Sequence, residues 1–243
     1  MADLSEMRER LLTEALDAAQ ERLRVRAAAR RLWRKHLRGL ARSTAGALKR
    51  AVDLLITVPA ILLSLPLMAA IAAAIKLTDR GPVLFWQTRV GKWGREFDFP
   101  KFRSMCVDAE AKKRALLAAN DHGDNVTFKM KHDPRVTTVG RVIRRLSLDE
   151  LPQLWCVLRG EMSLVGPRPP VPSEVAQYTL SDRRRLDAVP GLTCLWQVGG
   201  RGTVPFPQQV EMDVDYIDRQ SLMTDVRILL KTVPAVLTGR GAY

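Results

Sequence analysis

Leu54-Leu55-Ile56-Thr57-Val58-Pro59-Ala60-Ile61-Leu62-Leu63-Ser64-Leu65-Pro66-Leu67-Met68-Ala69-Ala70-Ile71-Ala72-Ala73-Ala74-Ile75 is the one strongly apolar run in the chain, 22 residues broken only by Thr57, Pro59, Ser64 and Pro66. As a straight helix at about 1.5 Å per residue it reaches roughly 33 Å, enough to cross a bilayer core of about 30 Å. Three features oppose a simple span. Pro66 removes a backbone donor and clashes one turn back, which predicts a kink at Ser64-Leu65-Pro66, with the Ser64 hydroxyl available to a freed carbonyl. Asp53 adjoins the run. Both flanks are basic, with Lys49 and Arg50 before it and Lys76, Arg80, Arg89, Lys92 and Arg95 after it, and the positive-inside tendency draws both ends to the cytoplasmic side. A re-entrant helical hairpin that enters and leaves by one face meets these demands; a kinked full span is the alternative.

The surrounding chain is basic. Lys and Arg total 39 against 26 acids, a formal charge of +13 over 243 residues, which favours an anionic partner: nucleic acid, an acidic membrane surface or a phosphorylated substrate. Cys106, Cys156 and Cys194 have no close pairing, and His36, His122 and His132 have no ligand spacing, so neither a disulfide framework nor a zinc site is expected. Ahead of the apolar run, Met7, Leu11 and Ala15 recur at helical spacing. Arg22, Arg24, Arg26, Arg30, Arg31, Arg34, Lys35 and Arg38 then surround Leu32, Trp33 and Leu37 with no acid among them. This is the composition of a helix lying on an anionic bilayer, and equally of a solvated basic arm that binds a partner. The segment lacks the apolar core and small-residue cleavage site of a signal peptide.

Beyond Gly81-Pro82, the segments Pro82–Gln87 and Glu96–Phe99 read as a small hairpin around Gly91-Lys92-Trp93-Gly94. Lys101-Phe102-Arg103 comes next, a phosphate site or a solvated basic strand. A helix over Ala109–Asn120, a loop at 121–125 and a short basic helix around Gly140–Leu146 lead to Arg144-Arg145-Leu146-Ser147-Leu148-Asp149-Glu150-Leu151-Pro152-Gln153. Ser147 with Glu150 three residues on fits a capping box. Capping does not require Asp149, and acids at a helix start among arginines are expected to stay ionised, as a nucleophile or metal ligand needs. The helix should continue through Trp155 to a C-cap at Gly160. In Gly166-Pro167-Arg168-Pro169-Pro170 the prolines forbid a helix or central strand and present Arg168 on a rigid loop, for phosphate or simply as a turn. No Walker loop or G-x-G-x-x-G occurs, so a phosphate must be held by side chains and helix ends. The tail from Val214 to Leu237 reads as one amphipathic helix, with Leu222, Val226, Leu229, Leu230, Val233 and Val236 on one side, against membrane or core.

Five of these stretches occur together: Lys101-Phe102-Arg103-Ser104-Met105; Asp133-Pro134-Arg135-Val136-Thr137; Ser147 to Leu154; Met162 to Pro169; and Pro190-Gly191-Leu192-Thr193 with Leu195-Trp196-Gln197-Val198 and Gly200-Arg201. In that order they resemble the bacterial sugar transferase family, the monotopic polyprenyl-phosphate glycosyl-1-phosphate transferases, from Lys49 to Tyr243. The resemblance implies that Asp149 is the nucleophile attacking the sugar-linked phosphate of a UDP-sugar, and that Glu150 is its partner and binds Mg²⁺. It implies further that UMP leaves and that undecaprenyl phosphate then takes the phosphosugar from Asp149, a ping-pong course. Lys101, Arg103, Arg144, Arg145 and Arg168 match phosphate-binding positions, Trp196, Gln197 and Arg201 the donor segment, and Ser64 and Pro66 the break in the membrane helix. Cys156, Cys194 and Gly199 depart from the family's usual Asn, Gly and Ser or Asn.

The resulting expectation is an α+β, mainly helical protein: a basic arm over residues 1–48, a re-entrant membrane helix over 49–77 and a catalytic domain over 78–243, with interfacial amphipathic helices and a short β-hairpin. It would act at the cytoplasmic face of a bacterial inner membrane, in surface polysaccharide or glycan assembly. The Leu195-Trp196-Gln197-Val198 form of the donor segment points to a UDP-hexose, and the long N-terminal helix to a homodimer; nucleic acid is not expected as a partner. The competing reading is a non-enzymatic, membrane-anchored polyanion-binding protein.

Overall fold

In the computed structural model, residues 44–78, 80–109, 111–112, 133–200 and 203–238 are described. Most of the N-terminal arm, the region 113–132 and Arg201 lie outside them. Contacts divide the chain into Met1–Leu48 and Lys49–Tyr243, and the strands, the core and the candidate site all belong to the second unit.

The apolar run lies in one helix, α1, assigned without a break over Thr44–Thr78 and long and apolar enough to cross a membrane. Neither Pro59 nor Pro66 ends it. The Ser64 hydroxyl donates to the Ile61 carbonyl at 3.0 Å, one turn before Pro66. One stripe of α1 is covered by the body of the protein. Asp53 accepts from the Leu164 N–H at 3.1 Å, Ala60 and Ile61 pack on the main core, and Met68, Ile71, Ala72 and Ile75 pack with Phe102 and Ile143. These positions fall at spacings of three, four and seven residues, one helical face. The other faces, with Leu55, Leu62, Leu63, Leu65 and Leu67, are exposed and apolar.

The expected hairpin is present and longer than the sequence suggests: β1 (Leu84–Val90) pairs antiparallel with β2 (Glu96–Phe102) across the 3-10 turn Lys92–Gly94. The register sets Phe85 opposite Lys101 and Arg89 opposite Phe97. Asp133 holds Arg135 through its backbone N–H at 3.0 Å and its guanidinium, and this turn delivers Thr137 as the cap of α2 (Thr138–Arg145), its hydroxyl accepting from the Gly140 N–H at 2.9 Å. Gly140 is required because a Cβ there would collide with the Ser104 carbonyl where the chain leaving β2 passes.

The helix expected from Leu148 begins as a 3-10 turn, Leu148–Gln153, and only then becomes α3 (Leu154–Arg159), which ends at Gly160 in the left-handed region as expected. A second sheet, which no sequence pattern signals, pairs β3 (Ser163–Val165) in parallel with β4 (Gly191–Thr193). Gly166 and Gly191 face each other so closely that neither could carry a Cβ without striking backbone across the pair. Short helices α4 (Pro172–Val175) and α5 (Leu195–Gly199) and a 3-10 turn (Asp182–Asp187) complete this half.

The expected single amphipathic tail is two helices, α6 (Phe206–Asp218) and α7 (Leu222–Thr238), because Ser221 starts a new helix: its hydroxyl accepts from the Thr224 N–H at 3.2 Å. Its apolar residues also divide. Ile228 is buried and Leu229 packs on the core, while Val226, Leu230 and Val233 are exposed. The core holding these parts together gathers Phe99, Val157, Met162, Val165, Tyr216 and Ile228. Lys49 ties α1 into it, reaching the Val165 carbonyl at 3.0 Å and Asp225 at 2.6 Å, while the Tyr216 hydroxyl donates to Asp225 at 2.7 Å.

Candidate active site

The acid pair sits on the 3-10 turn Leu148–Gln153, and the backbone just before it is unusual. Ser147 adopts φ 55°, a left-handed conformation that costs a serine energy, and its hydroxyl makes no cap hydrogen bond. The expected capping box is therefore not formed. Glu150 does not reach back to Ser147 because its carboxylate is taken: Arg168 donates to Oε1 at 2.9 Å and Lys101 Nζ lies 3.6 Å from the same oxygen.

Each cation has a built support. Lys101, on β2, stands over the Phe99 ring at 5.3 Å. The Arg168 loop is clamped from both sides. The Gly191 N–H donates to the Pro167 carbonyl and the Val90 N–H to the Pro170 carbonyl, both at 2.9 Å. The Arg89 guanidinium donates to the Pro169 carbonyl at 2.8 Å and to Gln87 at 2.7 Å, and lies over the Phe99 ring at 5.2 Å. In the sequence Arg89 is only part of a basic flank. A lone arginine on a strand carries no signal that it will buttress a loop eighty positions away.

These surroundings push the two carboxyls apart. Burial and the neighbouring Glu150 raise Asp149 to about 6, against the pull of Lys101, Arg144 and Arg168. Burial would raise Glu150 as well, but Arg168 and Lys101 overcome it and hold it down at about 2. Both carboxyls are therefore ionised at neutral pH, Glu150 by a wide margin and Asp149 by a narrow one, its titration lying just below neutrality. Burial and Arg168 in turn lower Lys101 to about 8. Asp149 is 8% exposed, and among the described residues its carboxylate makes no ion pair or side-chain hydrogen bond. A basic, unspent carboxylate beside three cations is equipped to attack an electrophile that carries negative charge.

The pair opens into a cavity of about 460 Å³, which brings together Lys101, Arg144, Asp149, Glu150, Arg168, Trp196 and Gln197. Leucines, valines and alanines make up much of the remaining wall. Arg103 and Arg145 do not line it: Arg103 is buried against Gly81, and Arg145 is exposed at the end of α2. Ser64 and Pro66 lie on α1, outside the cavity. Of the departures, Cys194 donates its thiol to the Gln197 side-chain oxygen at 3.1 Å, and burial raises its pKa well above the usual thiol value. Cys156 is buried against the Asp98 carbonyl at 3.4 Å, and Gly199 has only the Met212 methyl, 3.9 Å from where its Cβ would stand.

No group of three or more His, Cys, Asp or Glu side chains converges as a metal cage among the described residues. Among the residues lining the cavity, the carboxylates available to a cation are the acid pair. Both cation contacts of Glu150 fall on Oε1. An ion held at Oε2 would complete its shell with substrate oxygens and water, which is the habit of Mg²⁺.

Comparison with known proteins bears on this site. The family model described as bacterial sugar transferase matches residues 44–239. The galactosyl transferase CpsE of Streptococcus agalactiae is 48% identical over 165 residues, 68% of this chain and 36% of that protein. The exopolysaccharide production protein ExoY of Rhizobium meliloti is 41% identical, over 84% of this chain and 92% of its own length. The undecaprenyl-phosphate galactose phosphotransferase of Salmonella typhimurium is 43% identical, over 84% of this chain and 43% of that protein. The chain thus spans less than half of two of these relatives and nearly all of the third.

Proposed function

The chain belongs to the bacterial sugar transferase family, and from that premise we propose that it transfers a sugar-1-phosphate from a UDP-sugar to undecaprenyl phosphate, as a membrane step in polysaccharide or glycan assembly. The observation that carries this reading is Asp149: a buried carboxylate of raised pKa, unpaired among the described residues, in a cavity that Lys101, Arg144 and Arg168 also line.

The work divides among a few residues. Lys101, Arg144 and Arg168 hold the donor's diphosphate and offset its repulsion of an incoming carboxylate. An Asp149 oxygen bonds to the sugar-bearing phosphorus as the bond from that phosphorus to the UMP oxygen breaks, and UMP carries away the electron pair. A phosphate oxygen of the acceptor then attacks the same phosphorus, and the bond to Asp149 breaks to restore the carboxylate. Glu150, kept ionised by Arg168 and Lys101, is the residue to hold Mg²⁺, which supplies further charge neutralisation at the phosphates. Trp196 and Gln197 line the donor side, and the galactose in two relatives' names supports a hexose.

The covered stripe of α1 supports a re-entrant placement. The same body lies along the helix from Asp53 to Ile75, which supports both ends of the apolar run staying with it on one side of the bilayer, and the basic flanks support the cytoplasmic side. Cysteine labelling at Ala2 and Ala242 tests this: labelling from opposite faces of the membrane would overturn it.

For the activity, the experiment is UMP release from a panel of UDP-sugars by purified protein with Mg²⁺ and undecaprenyl phosphate. One hexose donor should support turnover that Asp149→Asn abolishes. Full turnover in the Asn variant would rule out the covalent course, and no release from any donor would return the protein to the class of polyanion binders.

A further inference from the structure

The cavity wall joins two chemistries: the cations and the acid pair, with Leu148 and Leu151 flanking the acids on their turn, and an apolar lining that comes from other elements, Leu164 of β3, Leu192 of β4 and Leu229 and Val236 of α7. The α7 wall is apolar even where a polar residue occurs, because the Thr232 hydroxyl is engaged with the Ile228 carbonyl at 2.8 Å and with Thr193 at 2.9 Å. A nucleoside or sugar needs hydrogen-bond partners on most sides, and burying its hydroxyls against leucines leaves them unpaired. The ligand that matches both chemistries is an amphiphile with an anionic head and a hydrocarbon chain.

The apolar wall also adjoins α1 and the exposed apolar face of α7. Leu148 and Leu151 line the cavity and pack against the cluster of Ile71 and Ile75 of α1, so one layer of side chains separates the two. On α7, Leu229, Thr232 and Val236 face the cavity, while Val226, Leu230, Val233 and Leu237 on the adjoining face are 45%, 67%, 59% and 73% exposed. Apolar surface therefore runs from outside α7 around to the cavity wall. At about 460 Å³ the space suits a small ligand or a short length of chain, far less than a whole polyprenyl tail.

We propose that this apolar half seats the isoprene units next to the acceptor's phosphate, with α7 as the wall along which the chain passes from the bilayer, an inference that rests on the transferase reading above. Leu229 and Val236 then set acceptor affinity, while the cations serve both substrates in turn.

The test uses the full chain in nanodiscs and separates the two half-reactions. Leu229→Gln and Val236→Gln should each raise the KM for undecaprenyl phosphate about tenfold while the KM for the UDP-sugar moves less than about twofold. The cost should nearly vanish with geranyl phosphate, whose short chain has little to lose. Equal rises in both KM values, or no rise for the lipid, would overturn the proposal. Photolabelling of the wild-type protein keeps the test independent of variant folding. An undecaprenyl phosphate bearing a diazirine in its first isoprene unit should label residues 146–154 and 222–238, and label confined to α1 would overturn the assignment. Failure of the transferase reading looks different, since the wild-type protein would then release no UMP from any donor.

Discussion

Asp149 and Asp213 are both buried aspartates among arginines, and both are raised to about 6, first by burial. Their surroundings give them opposite uses. Asp213, on α6, is 1% exposed and fully engaged: Arg185 holds Oδ2 through Nε at 2.8 Å and Nη2 at 2.7 Å, and Arg185 also donates to the Tyr178 hydroxyl at 3.0 Å and lies beside the rings of Tyr178 and Phe206. No cavity residue belongs to that pair. At the acid pair the arginine contact is made by Glu150, and Asp149, unpaired among the described residues, opens into the cavity. A raised pKa therefore does not by itself mark a reactive carboxylate; what marks it is access together with an unspent charge.

The sharpest break between the two is Asp149→Asn. It should lower UMP release by ~10³-fold or more, since nucleophile loss leaves only binding and electrostatics, while melting temperature stays level or rises. The sign for stability comes from the raised pKa: ionising Asp149 inside the fold is unfavourable, so its contribution is fully present below the ordinary carboxyl value of 3.8 and is lost as pH rises through about 6. The variant's advantage in melting temperature over the wild type should accordingly be larger at pH 7 than at pH 5. Asp213→Ala should do the reverse, leaving Arg185 buried and unpaired at a cost of about 3–5 kcal/mol, read by denaturant unfolding, with turnover per folded molecule little changed.

Next in size is Arg168→Ala, which should cost ~10²-fold in kcat/KM as a charge aimed at the phosphates is lost and should let Glu150 rise from about 2. The pH profile sharpens the comparison further. Asp149 must be ionised and Lys101 protonated, so kcat/KM should rise through about 6 and fall through about 8. Lys101→Arg should remove the alkaline limb and leave the acid limb in place; an acid limb that survives in Asp149→Glu at an unchanged pH would assign it elsewhere. Smallest is Cys194→Ala, which removes one contact to Gln197 and should shift the donor KM by about twofold, an effect on the order of 0.4 kcal/mol.

Much of this site is legible in the sequence because its signals are local or compositional. The adjacent acids, the basic residues around them, the proline-bound Arg168 and the apolar run each declare themselves within a few positions, and Gly160 ends its helix where the sequence places it. The capping box is the instructive failure. Ser147 and Glu150 have the right spacing, but the motif competes with Arg168 for the carboxylate, and a charge-assisted bond at 2.9 Å from a clamped loop wins. Arg103 has the same composition-level claim on phosphate as Lys101, two positions away. Their spacing puts them on one strand face, yet β2 ends at Phe102 and Arg103 turns into the packing around Gly81.

By itself, then, the sequence determined which groups exist and what short-range structure they adopt, because periodicity, proline and glycine act over one or two turns of chain. Only the tertiary structure decided which carboxylate would be spent and which left reactive. That choice depends on Lys101, Arg168 and Arg89 arriving from β2, the proline loop and β1. It also depends on β3 and β4 pairing in parallel across an interval that no local pattern announces. Desolvation is a property of the packed whole and raises both carboxyls; it is the pairing of Glu150 with Arg168 and Lys101 that sets Asp149 apart from its neighbour.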